Sequence, residues 1–367
     1  MLITDSNKLA QFDTAHRLWQ GIPSIEVTKG GRIFSTFYSG GTGEQVNNFA
    51  VLLQSDNGID FGEPIAVAFA EGHRCYDPCL WIDPLGRLWF TWACAPEHAV
   101  YAAICADPDA KELSWEPARK IGEDVMMNKP TVLSGGEWLF PIAVWHRDVT
   151  TGGFRSESDD SERKAFVYKS TDGGKTLVRR GGADVAERSF DEHMILEFSD
   201  GTLAMYVRTE YGIGVAYSAD GGETWSEGED SGLGGPCSRF FIRRLKSGRV
   251  LLVNHYQNVG RSHLTAMLSE DEGKTWPYKF LLDERTEVSY PDAKEADDGY
   301  LYITYDRERG GFLHNLAQVY GSAREILFAK ITEADILAGK LTDPNSRLKC
   351  VVNKLGRYVF EDEVHFD

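Results

Sequence analysis

The chain has 367 residues, of which 42% are hydrophobic and 12% aromatic, and this is ample for a large buried core. The formal net charge of −17 at pH 7 argues against nucleic acids and anionic membranes as partners, because both carry the same sign of charge. No apolar run approaches the length of a membrane span.

The first residues, MLITDSNKLAQFD, do not have the basic start and apolar stretch of a secretory signal. Six cysteines occur at irregular spacing, and in a chain without a signal they are expected to be reduced thiols in the core. Cys75 and Cys79 could hold a metal together with His73, but no second ligand pair stands at zinc-type spacing. We therefore expect a cytoplasmic protein without a metal or other cofactor, and the oligomeric state stays open.

A hairpin pattern begins near residues 21, 76, 128, 191, 238 and 289. Each copy has a short apolar strand, a turn with a glycine and a second apolar strand, as in HMILEFSDGTLAMYVR of the fourth copy. The residues aligned near the start of the copies are Pro23, Pro78, Pro130, His193, Phe240 and Pro291. The turn glycine follows eight residues later in five copies and six residues later in the third.

The intervals between these copies run from 47 to 63 residues, which suits one four-stranded propeller blade per copy. Residues 1–367 are therefore predicted to form one all-β domain, a six-bladed β-propeller with four-stranded antiparallel blades. Residues 1–20 are expected to run along the outside, where one segment could supply the strand that closes the ring.

Three segments depart from the repeated hairpin. The polar stretch Gly152–Lys164 is predicted to be an insertion loop without strands, which explains the longest interval. Near the C-terminus, Arg324–Thr332 is predicted to be a strand of the last blade and Glu333–Gly339 a short helix. Lys349–Lys354 could form an outer strand.

A second pattern, Ser-x-Asp-x-Gly-x-Thr-Trp, is complete or degraded at Ser218–Trp225, Ser269–Trp276, Ser170–Leu177 and Gln54–Phe61. The last of these keeps only Asp56 and Gly58. We interpret the pattern as a hairpin turn in which the Asp carboxylate accepts hydrogen bonds from turn amides and Gly is left-handed. The aromatic residue is expected to pack between blades, so the motif is structural rather than catalytic.

In a propeller the innermost strands begin near the central channel, so equivalent positions of the six copies face one another at its mouth. The residues directly before the aligned positions are Ile22, Asp77, Lys129, Glu192, Arg239 and Tyr290. Five of the six are polar or ionisable, where a purely structural strand is usually apolar. We interpret this ring as the candidate active site, and solvated strand ends are the alternative.

A second ring follows from the position seven residues after each turn glycine: Tyr38, Ala93, Ala143, Arg208, His255 and Asp306. Its polar half lies on blades four to six, beside Glu192, Arg239 and Tyr290. Trp145 and His146 come just after Ala143 and could wall the pocket. Aromatic and histidine side chains suit a sugar, whose faces are apolar and whose edges carry hydroxyl groups.

The turn motifs, Ile22-Pro23 and Ser289-Tyr290 make the chain resemble the sialidase superfamily of six-bladed BNR-repeat propellers, from about residue 20 to residue 335. The resemblance implies an exo-acting glycoside hydrolase with Tyr290 as nucleophile. It also implies that Glu192 is the base that activates this tyrosine, whose ordinary pKa is near 10. Glu44 stands where the superfamily usually has an acid/base Asp, and Asp77 is the alternative for that role.

Sialidases bind the substrate carboxylate with three arginines, and such pairs are often bidentate. Arg261 matches the third arginine of the superfamily. The place of the first arginine, directly before Ile22, holds Gly21, and that of the second lies in the stretch Gly212–Gly214. Because two arginines are missing, we expect that the chain is not an efficient sialidase. The candidate substrate ligands are Arg261, Arg239, Arg208, Lys129, His255, Arg74, Trp145, His146 and Asp306.

Two other functions stay open from the residues. A polysaccharide lyase acting on a uronate-containing glycan would use a tyrosine and a histidine as base and acid, beside an arginine that binds the uronate. A glycan-binding propeller without catalytic activity would bind tightly and show no turnover. A carbohydrate is the expected partner in every case.

Overall fold

The computed structural model describes residues 1–41, 43–145, 147–148, 153–154, 163–257, 260–309 and 323–356. Six antiparallel sheets stand around a central channel, and each sheet is built from one continuous stretch of chain apart from a short N-terminal strand. The predicted six-bladed β-propeller with four-stranded blades is confirmed.

The strands of the first three blades come first along the chain. They are β1 (Leu2–Ile3), β2 (Trp19–Val27), β3 (Ile33–Gly40), β4 (Phe49–Ser55), β5 (Ala66–Ala68), β6 (Arg74–Ile82), β7 (Leu88–Ala95), β8 (Ala99–Cys105), β9 (Arg119–Glu123), β10 (Thr131–Val132), β11 (Trp138–Ala143), β12 (Arg147–Asp148), β13 (Gly153–Phe154), β14 (Ala165–Ser170) and β15 (Val178–Ala183).

The other three blades follow. Their strands are β16 (Met194–Glu197), β17 (Leu203–Thr209), β18 (Gly212–Ser218), β19 (Glu229–Asp230), β20 (Phe241–Arg244), β21 (Val250–His255), β22 (Ser262–Ser269), β23 (Tyr278–Thr286), β24 (Val288–Glu295), β25 (Leu301–Arg307), β26 (Glu325–Ile331) and β27 (Arg347–Lys354).

The first strand of each blade lies next to the channel, and the following strands pair outward in order. Blade 3 consists of β10, β11, β14 and β15, while β12 and β13 form a separate two-stranded pair. Strand β2 packs against both β6 and β24, so the ring closes by contact between the first and last inner strands. The N-terminal strand β1 pairs with β5 at the outer edge of blade 1, and the expectation that it closes the ring is wrong.

Six turn glycines set the hairpins between the first two strands of the blades. Their φ angles are between 83° and 93°, in a region that costs glycine little and other residues much. These glycines are the predicted ones: Gly31, Gly86, Gly136, Gly201, Gly248 and Gly299. The repeat alignment at the turns is therefore confirmed.

Aromatic residues fill the space between neighbouring blades. Trp81 and Trp89 of blade 2 meet Trp138 of blade 3, and the rings of Trp81 and Trp138 pack edge to face with centroids 5.0 Å apart. Burying a large apolar side chain contributes roughly 1.5–3 kcal/mol. Such contacts hold the blades together beside hydrogen bonds between them, such as the one from the Arg87 guanidinium to the Gly173 carbonyl at 2.6 Å.

The turn motif has the hydrogen bonds that its sequence predicts. In the copy that begins at Ser218, the carboxylate of Asp220 accepts hydrogen bonds from the backbone N–H and the hydroxyl of Thr224, at 2.9 and 2.5 Å. Gly222 is left-handed, with φ 91°, and Trp225 packs against a cluster shared by blades 3 and 4. In blade 1 the predicted register is wrong by one residue, because Asn57 makes the turn bonds and Asp56 instead pairs with Arg32.

The segments outside the repeat behave differently. The predicted strand near residue 324 and the outer strand are confirmed as β26 and β27. Helices α1 (Ser6–Leu9) and α2 (Glu333–Ala338) are short, and two 3-10 turns span Ala10–Phe12 and Thr14–His16. Thr332 and Asp335 cap α2 reciprocally, as the prediction of a helix there requires. Strand β13 lies within the segment predicted to be strandless, so that prediction is wrong in part.

The cysteines are free, and four of the six are buried. The sulfur of Cys75 lies 3.9 Å from that of Cys94 on the neighbouring strand, whereas Cys79 contacts Ser24 of blade 1. Cys75 and Cys79 therefore point to different neighbours. Among the described residues, no helix is long and apolar enough to cross a membrane.

Candidate active site

Bulges turn three side chains of the inner strands towards the mouth of the channel. The register shifts in three blades, between Gly21 and Ser24, Tyr76 and Cys79, and Ser289 and Asp292. Within these shifts, Ile22, Asp77 and Tyr290 have φ angles of 58°, 46° and 55°. A bulge re-aims a side chain, and left-handed residues other than glycine are concentrated at functional sites.

Tyr290 and Glu192 lie together, as the ring of strand starts predicts. The Tyr290 hydroxyl is 3.1 Å from Oε1 of Glu192. Nη1 of Arg208 donates to the same Glu192 oxygen at 2.7 Å and to the Tyr290 hydroxyl at 3.0 Å. All three side chains are buried. The phenol is thus held between a carboxylate and a guanidinium.

The backbone before Glu192 has an unusual conformation. Phe190, Asp191 and Glu192 are all left-handed, with φ angles of 60°, 55° and 44°. The strand that carries Arg208 supports this turn, because the backbone N–H of Arg208 donates to the backbone carbonyl of Asp191 at 2.8 Å. Each such residue costs roughly 1–3 kcal/mol, so the surrounding contacts must hold the turn that presents Glu192.

Two further arginines flank Tyr290. The guanidinium of Arg261 lies 5.3 Å from the centre of the Tyr290 ring, and that of Arg309 lies 4.4 Å from it. Burial and the nearby Glu192 raise the pKa of Tyr290, although the three arginines oppose this shift. Tyr290 therefore needs a base before it can act as a nucleophile.

Arg309 is a site residue that the sequence analysis missed. It follows β25 and belongs to neither of the rings of equivalent positions. A signal was present at Gly21, because a glycine inside an apolar strand often marks a close approach by another group. A Cβ at Gly21 would lie 2.6 Å from Cδ of Arg309.

Glu44 lies beside Arg74 at the edge of the site. Nη2 of Arg74 donates to Glu44 at 2.7 Å and to the buried hydroxyl of Tyr38 at 2.9 Å. Burial would raise the pKa of Glu44, but the guanidinium groups of Arg74 and Arg309 outweigh it and the pKa is lowered. Glu44 is thus held in its ionised form.

Asp77 has the opposite electrostatic environment. Burial raises its pKa to about 8, with Arg74 opposing and with Glu44 and Glu192 adding to the shift. Its side chain is therefore a neutral carboxylic acid near pH 7. Two carboxyl groups of one site with pKa values pushed apart are typical of a base and an acid.

Three predicted substrate ligands are engaged with the protein itself. Lys129 is 3% exposed and its ammonium pairs with Glu26 at 2.9 Å and with Asp292 at 3.0 Å. Arg239 is fully buried and donates to the side chain of Asn128 and the carbonyl of Pro23.

His255 is also fully buried, and its Nε2 lies 2.7 Å from the Val288 carbonyl. Burial lowers the pKa of this imidazole to about 4. The structure therefore does not bring Lys129, Arg239 or His255 to the surface around Tyr290, and a ligand role for them stays a prediction without structural support.

Asp306 positions its neighbours. It accepts a hydrogen bond from the Ser289 hydroxyl at 2.6 Å and from the Ile22 N–H at 2.8 Å, which ties the bulges of blades 6 and 1 together. Its other near neighbour is Arg309, at 3.8 Å. Asp306 thus holds the two bulges of the site in place.

A small recess lies beside Glu192. Trp145 lines it and donates from its indole N–H to the Phe190 carbonyl at 2.8 Å. Most other lining groups are apolar, among them Met127 and Ala143. The recess has room for about one water molecule, so it is too small to hold a sugar. His146 lies outside the described residues.

A family model described as the BNR repeat-like domain matches residues 31–303, about three quarters of the chain. The chain belongs to the BNR repeat-like family. A search of curated protein sequences finds no match. The predicted likeness to sialidase-superfamily BNR propellers is confirmed by this match and by the solved structures that share the fold.

Three solved structures illustrate the likeness. A Hadza microbial sialidase is 18% identical, with a TM-score of 0.65, over 88% of this chain and 67% of its own. The intramolecular trans-sialidase from Ruminococcus gnavus is 14% identical, with a TM-score of 0.63, over 91% and 98%. An alpha-L-arabinofuranosidase from Fusarium graminearum is 12% identical, with a TM-score of 0.57, over 87% and 94%. At these identities the likeness concerns the fold.

Proposed function

We propose that this BNR repeat-like protein is an exo-acting glycoside hydrolase in which Tyr290 is the nucleophile and Glu192 is its base. The supporting observation is the 3.1 Å contact between the Tyr290 hydroxyl and the Glu192 carboxylate. As the tyrosine oxygen attacks the anomeric carbon, its proton passes to Glu192 and the bond to the leaving group breaks. Arg208, 3.0 Å from the same hydroxyl, stabilises the negative charge that develops on the oxygen.

The charges of the site favour an anionic sugar. The charged side chains with the strongest effect on the pKa of Tyr290 are Glu192 and the three arginines Arg208, Arg261 and Arg309. Three guanidinium groups therefore face one carboxylate at Tyr290, and the nearby Asp77 is neutral near pH 7. A positive site in a protein with a net charge of −17 is suited to a substrate that brings a carboxylate.

A neutral tyrosine is also the nucleophile that such a substrate favours. A carboxylate on the reacting carbon would repel an ionised Glu or Asp nucleophile, whereas a phenol carries no charge before its proton leaves. The reaction splits into attack by Tyr290 and hydrolysis of the resulting glycosyl-enzyme by water, so the anomeric configuration is retained. We therefore propose an acidic sugar at the glycan terminus. A neutral nucleophile favours a sugar with the carboxylate on its anomeric carbon, as in a sialic acid, over a uronic acid, whose carboxylate is bonded to C5.

The expectation of poor sialoside turnover no longer has its original basis. That expectation assumed two missing arginines, but Arg208, Arg261 and Arg309 all flank Tyr290. Poor sialoside turnover therefore stays a prediction that depends on the fit of the sugar substituents rather than on a loss of cationic side chains.

The activity test is a panel of chromogenic glycosides that carry sialic acid, glucuronic acid, galacturonic acid, glucose or arabinofuranose. We expect turnover of at least one acidic glycoside, with kcat/KM at least about 10-fold higher than for its neutral counterpart, because one charged hydrogen bond contributes roughly 1.5–3 kcal/mol. Turnover of neutral sugars alone would exclude the proposed substrate class. The sialoside within the panel decides whether the protein is an efficient sialidase.

The two alternatives predict other outcomes of the same panel extended with uronate polysaccharides. A lyase would release an unsaturated product with new ultraviolet absorbance, and a binding protein would bind without turnover. The lyase mechanism has no support at His255, which is buried against the Val288 carbonyl.

Asp77 is proposed to donate the proton to the leaving group. It is protonated below its pKa of about 8, whereas Glu44 is held ionised by its arginines. With an unactivated alkyl glycoside, kcat/KM should therefore fall as the pH rises through about 8. Asp77→Asn should remove this decline and lower kcat/KM about 10²–10⁴-fold, because an amide does not donate a proton to the leaving group.

The matched control for that pH profile is Glu44→Gln, which should keep the decline but move it to lower pH, because the charge of Glu44 contributes to the raised pKa of Asp77. An activated nitrophenyl glycoside should be much less sensitive to Asp77→Asn, because its leaving group departs without a proton. An unchanged alkaline limb in Asp77→Asn would assign the proton donor to another group.

A further inference from the structure

Arg309 occupies space that the inner strand of blade 1 leaves empty. The side chain starts just after β25 of blade 6 and passes over Gly21 of β2. A Cβ added to Gly21 would lie 2.6 Å from Cδ and 3.1 Å from Cβ of Arg309. Real Cβ atoms essentially never approach so closely, so a side chain at position 21 and Arg309 in this place exclude each other.

The guanidinium of Arg309 has an unused hydrogen-bonding group. Its Nη1 is buried and has no hydrogen-bond partner among the described residues. The nearest carboxylates are those of Glu44 and Asp306, both at 3.8 Å, which is too long for a hydrogen bond. A buried donor without a partner is costly, and an incoming carboxylate would satisfy it.

The position of Arg309 points to the reacting end of the substrate. It lies over the ring of Tyr290, 4.4 Å from the ring centre, and Arg261 approaches the same ring. A ligand carboxylate between these two guanidinium groups would be next to the tyrosine that attacks. The side chain is 16% exposed, so a ligand reaches Nη1 when neighbouring groups shift slightly.

We propose that Arg309, supplied from blade 6, binds the carboxylate of the substrate, and that Gly21 determines this specificity by leaving room for it. The inference rests on the proposed function and names the residue pair that fixes its substrate class. It explains why position 21 carries no side chain: the cation reaches the site from the opposite side of the junction between blades 1 and 6.

The first test is binding of N-acetylneuraminic acid and glucuronic acid, each compared with its methyl ester, by calorimetry or ligand-observed NMR. The wild type is expected to prefer at least one acid over its ester. Arg309→Ala should weaken binding of that acid about 10- to 100-fold and leave the ester nearly unchanged. Arg307→Ala is the matched control, because Arg307 pairs with Glu308 and Glu325 and should leave the preference unchanged.

The second test moves the arginine side chain from position 309 to position 21. Gly21→Ala should displace Arg309 and reduce the preference for the acid, although it removes no charged group. Gly21→Arg combined with Arg309→Gly should recover part of the preference lost in Arg309→Gly alone. This recovery separates a role in binding from a role in folding, since both single variants could simply be unstable.

The outcomes test the proposed substrate class and the role of Arg309 separately. A wild type with no preference for either acid over its ester overturns the proposed substrate class, and the role of Arg309 with it. A wild type that prefers the acid, together with an Arg309→Ala variant that keeps the full preference, leaves the proposed function standing and overturns this inference alone.

Discussion

Replacing Tyr290 by Phe is expected to lower kcat by roughly 10³-fold or more, the scale seen when a catalytic nucleophile is removed. The substitution deletes one oxygen, which lies 3.1 Å from Glu192 and 3.0 Å from Arg208. Those two side chains stay paired with each other at 2.7 Å, so the buried charges remain compensated and the fold should survive. The measurement is steady-state kinetics on the best substrate of the glycoside panel.

The same blade offers a matched control. Tyr305 is also buried, and its hydroxyl donates to the carboxylate of Asp283 at 3.0 Å. Tyr305→Phe removes an equivalent hydrogen bond away from the proposed site and should leave kcat within about threefold of the wild type, since an exchange of this kind affects mainly stability. Near-normal activity of Tyr290→Phe would show that another group is the nucleophile.

The repeat could be predicted because its turns have a strict local requirement. The first turn of each blade needs a left-handed residue, and this requirement favours glycine. The glycines therefore recur in the sequence at a spacing that identifies the repeat. Positions at a fixed distance from those glycines then share a place in the fold. For this reason Tyr290, Glu192 and Arg208 could be brought together on paper and are found in contact.

The alignment failed where the chain changed its local length. In the third hairpin, Pro130 precedes the turn glycine by six residues instead of eight, and the aligned proline placed Lys129 in the ring of site residues. Counting eight residues back from Gly136 gives Asn128, with Met127 before it, and Met127 indeed lines the recess beside Glu192. The hydrophobic pattern of the strand cannot reveal such a shift of two residues, because it returns each side chain to the same face.

Gly21 indicated a close approach by some group, but the sequence could not identify that group as Arg309, because the contact joins the first and last blades. No local motif surrounds Arg309, and its distance from Gly21 along the chain is nearly the whole propeller. The missing arginine before Ile22 was read as a loss of charge. The lack of a side chain at position 21 instead leaves room for Arg309, which reaches this place from blade 6.

Lys129→Ala is expected to destabilise the propeller by about 3–5 kcal/mol, the usual cost of removing one partner of a buried charge network. The Lys129 ammonium donates to the Ile25 carbonyl at 2.8 Å and to the Leu80 carbonyl at 2.7 Å, besides pairing with Glu26 and Asp292. These partners belong to blades 1, 2 and 6, so one side chain of blade 3 joins four blades across the channel.

The pKa of Lys129 gives the same picture. Burial alone would lower it, but Asp292 and Glu26 outweigh burial and the pKa is raised, so the ammonium keeps its proton at all pH values near neutrality. Without it, the partners of the Asp292 carboxylate within the described part of the chain would be the Ser24 hydroxyl, the Ile25 N–H and Arg239, 3.6 Å away. Glu26 would still pair with Lys294 at 2.9 Å. The loss of stability should therefore be smaller than if both carboxylates were left without a partner.

Urea unfolding of Lys129→Ala and of the control Lys246→Ala measures this effect. Lys246 pairs with Asp297 at 2.8 Å on the surface, where such pairs contribute about 0–1 kcal/mol. The midpoint should therefore fall strongly for Lys129→Ala and hardly for Lys246→Ala, with equal slopes if the unfolded states are alike. Equal midpoints for the two variants would mean that the channel is hydrated enough to screen its charges, and that blade-to-blade packing alone holds the ring closed.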